Sequence, residues 1–122
     1  MTVLEPKEQA EILKNSRIEE QTATLDKSIN LSLSNRDGFC ALNFSLPLSV
    51  GKWDYVALCD GDPGENPYGY LTGQWQYISA TNSPYVTGKN FYDSGSFWVI
   101  YVTWNYNAGA YRILAKSNSQ SS

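Results

Sequence analysis

The sequence contains no histidine, and this absence narrows the chemistry available to its 122 residues. Histidine is the usual general base near neutral pH, a common zinc ligand and a member of Ser-His-Asp triads. Charged residues are also scarce, at 17% against about 25% in an average chain. The net charge of −3 does not suit a protein that grips phosphate backbones. We therefore expect neither an enzyme nor a nucleic-acid-binding protein.

Cysteines and long apolar runs are scarce as well. The two cysteines, Cys40 and Cys59, are too few for a disulfide scaffold or a structural zinc site. They fall on opposite phases of their predicted strands, which makes a disulfide between them the less favoured alternative. No run approaches the roughly 20 apolar residues that span a bilayer, and the first residues do not resemble a signal peptide. We expect a cytoplasmic protein, with leaderless secretion as the alternative.

The aromatic residues divide the chain into regions. All 17 lie between Phe39 and Tyr111. Residues 1–27 are rich in Glu, Lys, Gln, Ser and Thr, which predicts an N-terminal arm that is helical or partly disordered, with a helix beginning near Glu5-Pro6. This arm is either solvated or serves as a docking or oligomerisation element. We expect a β-domain over residues 28–116 and a disordered tail over residues 117–122.

From residue 28 onward, apolar residues alternate with polar ones, as in half-buried β-strands. Two alternating runs flank the turn Asn35-Arg36-Asp37-Gly38 and predict a hairpin. Further strands are predicted over residues 53–60, 69–79, 96–104 and 110–116, with a short one at residues 85–89. Short strands separated by Gly, Pro and Asn loops predict an all-β fold, either an antiparallel sandwich or a barrel.

Two segments resemble strands of SKICH-type and related Ig-like domains. Trp53-Asp54-Tyr55-Val56-Ala57-Leu58 is similar to a strand that carries an Asp-Trp pattern in those domains. Gly95-Ser96-Phe97-Trp98-Val99-Ile100-Tyr101-Val102 is similar to their aromatic strand that follows a glycine. The resemblance extends over residues 52–116 and implies an Ig-like sandwich of six or seven strands, used for recognition rather than catalysis. Because Asp54-Tyr55 departs from the Asp-Trp pattern, the resemblance assigns no functional residue.

The faces of the predicted strands indicate a ligand-binding surface. The strand at residues 96–104 is apolar on both faces, so we expect it to be central. Elsewhere, aliphatic and Trp side chains form the predicted core, and the opposite face presents Tyr, Gln and Thr to water. Aromatic rings pack on the C–H faces of sugars, and amides bond sugar hydroxyls. This predicts lectin-like binding of a neutral carbohydrate or glycoconjugate by Trp53, Tyr55, Tyr70, Gln74, Gln76, Tyr101 and Tyr111.

Two other functions stay open for the same surface. The predicted surface of Tyr, Gln and Thr, or the arm, would also suit a protein partner or a second subunit, and we expect a homo-oligomer. Surface Trp and Tyr would also suit a membrane interface. The sequence lacks a basic patch, which weakens attraction to anionic lipid and makes the membrane reading the least favoured.

The acidic loop at residues 60–68 is a candidate cation site. Asp60, Asp62 and Glu65 supply hard oxygen ligands of the kind that Ca²⁺ prefers. The EF-hand pattern is not met, and an acidic solvated turn accounts for the same residues. We expect no other metal or cofactor.

Overall fold

The computed structural model describes residues 3–15, 29–45, 50–105 and 108–119. Within these ranges the fold is mostly β, as predicted. The helix and the seven strands are α1 (Pro6–Asn15), β1 (Leu31–Arg36), β2 (Phe39–Phe44), β3 (Tyr55–Asp60), β4 (Trp75–Tyr77), β5 (Tyr85–Asn90), β6 (Phe97–Asn105) and β7 (Ala110–Ser119). A short 3-10 helix, Ile78–Ala80, follows β4. In the described ranges, no helix is long and apolar enough to cross a membrane.

The strands form two antiparallel sheets in a sandwich-like arrangement. The three-stranded sheet has the order β1-β2-β5, and the four-stranded sheet has the order β4-β3-β6-β7. Their facing surfaces share one apolar cluster, to which Leu42 of β2, Leu58 of β3 and Val99 of β6 belong. These residues have no exposed surface. Burial of apolar side chains from both sheets therefore holds the two layers together.

The predicted first hairpin is confirmed, with a tighter turn than the sequence suggested. β1 continues through Arg36, which pairs with Phe39, and only Asp37 and Gly38 form the turn. Both turn residues have positive φ, 53° and 90°, as a two-residue hairpin turn requires. The Asn35 side chain accepts a hydrogen bond of 2.8 Å from the Gly38 N–H. This bond stabilises the turn from within the end of β1.

β6 is the central strand, as predicted. It pairs with β3 on one side and with β7 on the other. Val99 and Tyr101 are buried toward the three-stranded sheet, and Ile100 is buried on the opposite face. β7 pairs with β6 as far as Ser119, beyond residue 116, where the prediction ended it. A register shift near the centre of this pair marks a β-bulge.

The prediction of a strand over residues 69–79 is wrong for most of its length. Only Trp75–Tyr77 form a strand. Before it, residues 71–74 make a turn in which Gly73 has a φ of 77° and the Gln74 N–H donates to the Leu71 carbonyl at 2.9 Å. Leu58 of β3 bonds both ends of this turn, donating its N–H to Gln74 and accepting from Leu71. The turn thus occupies the edge of β3, where a longer strand would otherwise pair.

The four-stranded sheet is covered on both faces, which corrects the prediction that one face meets water. The three-stranded sheet covers one face. On the other, α1 buries four side chains, spaced so that they form one stripe of the helix, Pro6, Gln9, Ala10 and Leu13. α1 lies within the predicted arm and begins at Pro6, as expected. Residues 16–27 of that arm lie outside the described ranges.

Candidate functional site

The surface of the four-stranded sheet that faces away from the three-stranded sheet is called the aromatic face here. Its rings pack edge to face around Tyr55, whose ring centroid lies 5.0 Å from that of Tyr111 and 6.0 Å from that of Tyr70. Tyr111 in turn lies 5.1 Å from Trp104. Edge-to-face contacts fix ring orientations. The rings of this face that contact one another are called the aromatic cluster, and they are Trp53, Tyr55, Tyr68, Tyr70, Trp75, Tyr77, Trp104 and Tyr111. The half-buried Trp98 packs on the same face beneath Lys116.

Exposure differs between the centre and the border of this cluster. Tyr55, Tyr77, Trp104 and Tyr111 are buried at the centre, beneath α1. Four rings at the border remain half-buried and are called the rim, Trp53, Tyr68, Tyr70 and Trp75. Within the aromatic cluster, ring surface is open to a ligand at the rim while α1 is in place.

The buried tyrosine hydroxyls bind backbone carbonyls of neighbouring segments. Tyr55 donates to Pro67, Tyr111 donates to Trp53 at 2.8 Å, and Tyr77 donates to Leu4 at 2.8 Å. Burial raises the pKa of Tyr77 to about 12, so its hydroxyl stays protonated at neutral pH. These tyrosines therefore fasten loops and the N-terminal segment to the sheet.

The seven side chains predicted to bind a ligand do not share one face. In the register of β3 and β6, Tyr55 pairs with Val102, whereas Tyr101 pairs with Val56. Side chains alternate along a strand, so Tyr101 lies between the sheets while Tyr55 lies on the aromatic face. Both rings are fully buried, and Tyr111 is buried too. The prediction that these tyrosines present an open face is wrong.

The two glutamines of the predicted site lie at the β4 side of the molecule and are half-buried. The Gln74 side-chain oxygen accepts a hydrogen bond of 2.8 Å from the Gly88 N–H, which links the turn before β4 to β5. The Gln76 side-chain oxygen accepts from the Tyr77 N–H at 2.9 Å. Gln76 alternates with the rim residue Trp75 along β4 and so points to the other side of the sheet. Their binding role stays a prediction.

A buried carboxylate, which the sequence analysis did not single out as a site, lies between the sheets. Asp54 has no exposed surface. It accepts hydrogen bonds from the Thr103 hydroxyl (2.7 Å), the Tyr101 hydroxyl (2.8 Å) and the Gly51 N–H (2.9 Å). Burial raises the pKa of Asp54, and these hydrogen bonds oppose the rise. The available signal was an acidic residue at the start of an apolar strand.

The acidic loop does not assemble the predicted cation site. Asp62 pairs with the Lys116 ammonium at 2.7 Å and accepts the Gly64 N–H at 2.9 Å. Asp60 accepts the Ser96 N–H at 3.3 Å, and Glu65 is exposed. Among the described residues, no three metal-ligating side chains converge. The structure therefore does not bring Asp60, Asp62 and Glu65 together, since Asp62 is engaged by a lysine.

A groove of about 680 Å³ runs between the acidic loop and β7. Its described lining consists of Gly64, Glu65 and residues 111–116. Lys116 borders the groove and lies 5.4 Å above the ring of Trp98. The groove meets the aromatic cluster at Tyr111, which is common to both. It is mixed in character, with a carboxylate and a lysine beside aliphatic β7 side chains.

The two cysteines are free, as the favoured reading of the sequence predicted. Cys40 lies between the sheets and Cys59 lies on the aromatic face, so the four-stranded sheet separates them. Burial raises the pKa of Cys59 to about 12, which keeps its thiol protonated and unreactive.

Comparison with protein-family models, with curated proteins and with solved structures finds no significant match to this chain. The geometry of the aromatic face is therefore the basis for assigning a function.

Proposed function

We propose that the protein is a non-catalytic module that binds a neutral carbohydrate or glycoconjugate through the rim of the aromatic cluster. The observation that carries this proposal is the pair Tyr70 and Trp75, two half-buried rings with centroids 6.5 Å apart and planes tilted by 48°. Buried rings support both members of the pair, since Tyr55 lies 6.0 Å from Tyr70 and 6.4 Å from Trp75. Such a rigid aromatic surface can take the C–H face of a sugar with little loss of conformational entropy.

The carboxylates near Tyr68 and Tyr70 disfavour an anionic ligand at that part of the rim. Burial, and then the nearby Glu5 carboxylate, raise the pKa of Tyr70. Burial, and then Glu11, raise the pKa of Tyr68 in the same way. Acidic side chains of the α1 segment therefore lie near the rim hydroxyls. Carboxylates accept hydrogen bonds from sugar hydroxyls but repel anionic glycans.

Two features support recognition rather than catalysis, and two others support an Ig-like framework. The chain has no histidine, and Asp54, the most buried carboxylate among the described residues, is closed off from solvent. The strand orders β1-β2-β5 and β4-β3-β6-β7 support the proposal of an Ig-like arrangement, since they resemble the A-B-E part of one Ig-type sheet and the C-F-G sheet with an added C′ strand. The resemblance of residues 52–116 to SKICH-type domains points the same way.

The test measures binding of soluble neutral oligosaccharides, with tryptophan fluorescence as the signal. The probes are maltohexaose, cellohexaose, mannohexaose and N-acetylchitohexaose, with heparin as the anionic comparator. We expect one neutral probe to bind, and Trp75→Ala to weaken that binding about tenfold, since each stacked ring contributes on the order of 1 kcal/mol beyond its buried area. Tyr92→Ala is the control, because Tyr92 is 68% exposed and lies outside the aromatic cluster.

Failure of every neutral probe to bind would refute the proposal. An equal loss of affinity in Trp75→Ala and Tyr92→Ala would refute the rim as the site. Preferential binding of heparin would contradict the neutral ligand class.

Self-assembly is the second candidate function, and one observation favours it. α1 packs its buried stripe on the aromatic face, so this face already binds a helix. The same helix supplied by a second copy would fit the same surface and give a homo-oligomer. Sedimentation equilibrium of the full chain and of Leu13→Ala distinguishes the two cases, because exchange of α1 between copies predicts a dimer that Leu13→Ala weakens.

A further inference from the structure

We propose that α1 is a displaceable cover over a deeper part of the same carbohydrate site, so that helix and ligand compete for the aromatic face. This inference rests on the proposed function and extends it from the rim to the rings beneath the helix. It makes the central rings Tyr77, Trp104 and Tyr111 part of the binding surface once α1 has moved.

The apolar stripe of α1 is small for a helix that has to stay in place. Pro6, Ala10 and Leu13 are its buried apolar side chains, and Leu13 is the largest aliphatic group among them. Ile12, which is bulkier than Ala10, is 53% exposed and contributes little. Since the hydrophobic contribution scales with the apolar area buried, this stripe holds α1 only weakly.

The fourth buried side chain of the stripe opposes docking. Gln9 is only 6% exposed, yet its side-chain amide makes no hydrogen bond to any described residue. A buried amide without a partner lowers stability, because it has given up its hydrogen bonds to water. α1 therefore carries a polar defect at its contact with the sheet, between Pro6 and Leu13.

Polar contacts add little to this attachment. Within the described part of the chain, one hydrogen bond joins residues 3–15 to the remainder, from the Tyr77 hydroxyl to the Leu4 carbonyl. The ion pair of α1, between Lys14 and Glu11, lies within the helix itself. Release of α1 thus breaks one hydrogen bond and returns the Gln9 amide to water.

The chemistry of Gln9 also indicates what replaces the helix. Gln9 carries a neutral amide on the same buried stripe as Ala10 and Leu13, which belong to the cluster of the aromatic rings. A neutral, polyhydroxylated ligand would bring the same combination of uncharged polar groups and apolar surface to these rings. When α1 leaves, the Tyr77 hydroxyl loses the Leu4 carbonyl as an acceptor and can donate to a sugar hydroxyl instead. The uncovered surface therefore combines ring faces with an uncharged hydrogen-bonding group.

The experiment compares two variants that shift the stability of the covered state in opposite directions without altering the rim. Gln9→Leu removes the unpartnered amide and adds apolar contact, so it stabilises the covered state. The open fraction then falls, and we expect apparent affinity for the neutral oligosaccharide bound by the wild type to fall about tenfold. Leu13→Ala removes the main apolar contact and should raise affinity roughly threefold or more. Lys7→Leu is the control, because Lys7 is exposed on the same helix.

The inference stands if Gln9→Leu binds more weakly than wild type, Leu13→Ala binds more tightly, and Lys7→Leu is unchanged. Equal affinities in all four proteins would refute the role of α1 as a cover but would leave the proposal of a rim site intact. Absence of binding in the wild type would overturn the proposed function and the cover together. Hydrogen exchange provides a second readout, since ligand should speed exchange of the α1 amides, and slower exchange of these amides would contradict displacement.

Discussion

The Tyr101 hydroxyl donates a hydrogen bond of 2.8 Å to the carboxylate of Asp54, and neither residue has any exposed surface. This contact joins the segment before β3 to the central strand β6, within the space between the two sheets. The Thr103 hydroxyl bonds the other carboxylate oxygen at 2.7 Å. A buried carboxylate whose hydrogen bonds are all made is costly to disturb. Asp54 therefore fixes the start of β3 to β6, on the side of the sheet opposite the aromatic face.

Asp54→Asn should lower the free energy of unfolding by about 2 kcal/mol, because an amide nitrogen replaces an acceptor and leaves buried donors unpaired. Urea denaturation monitored by tryptophan fluorescence measures the change. Asp37→Asn is the matched control, since Asp37 lies in the exposed hairpin turn with a positive φ that asparagine also tolerates. Equal stabilities for Asp54→Asn and wild type would show that the carboxylate is not an anchor.

The stability difference between wild type and Asp54→Asn should depend on pH in a defined direction. Burial raises the pKa of Asp54 above its ordinary value of 3.8, so the folded protein holds this proton more tightly than the unfolded chain. The stabilisation from Asp54 is therefore fully present below pH 3.8 and decreases as pH rises through the raised native pKa. Denaturation midpoints of the two proteins, measured in parallel, should converge as pH rises and then stay constant. A gap that widens with pH would contradict this.

Gly51→Ala should destabilise the protein, since a methyl group there would lie 2.5 Å from the Asp54 Oδ1 atom. We expect a loss of about 2 kcal/mol, the usual cost of overpacking. Gly88→Ala is the comparison, because its added methyl group would meet Gln74 at an ordinary 3.6 Å. Thermal unfolding of both variants is the measurement. A smaller loss in Gly51→Ala than in Gly88→Ala would mean that the chain before β3 adjusts freely around Asp54.

Tyr77→Phe removes the hydrogen bond to the Leu4 carbonyl and keeps the ring in the aromatic cluster. Amide hydrogens of α1 should then exchange about fivefold faster, which corresponds to roughly 1 kcal/mol for one lost hydrogen bond. Tyr85→Phe serves as the control, because Tyr85 belongs to the cluster between the sheets and lies away from α1. The prediction fails if α1 exchanges at the same rate in both variants.

Much of the fold could be predicted from the sequence because period-two alternation and Asp-Gly turn chemistry are local signals. They identified the β1–β2 hairpin, β3, β5, β6 and most of β7. The strand over residues 69–79 failed because the Gly73 turn replaces its first half, and aromatic content alone does not reveal a turn.

The candidate site was harder to predict, since it depends on long-range pairing. Tyr55 and Tyr101 were assigned to one surface by residue type, whereas the β3–β6 register places them on opposite faces. The sparse stripe of α1 indicated that the helix needs a partner, but nothing in residues 6–15 identified the aromatic face as that partner. Burial of Tyr55 and Tyr111 therefore became visible only in the folded structure.

The central claim is best tested by the indole N–H signals of the four tryptophans during titration with the neutral oligosaccharide. Trp53 and Trp75 lie on the rim, Trp104 lies beneath α1, and Trp98 packs under Lys116. The account predicts that the Trp53 and Trp75 signals shift first and most, that the Trp104 signal follows as α1 is displaced, and that the Trp98 signal stays in place. A titration in which only Trp98 shifts, or in which no indole signal shifts, would contradict recognition through the rim.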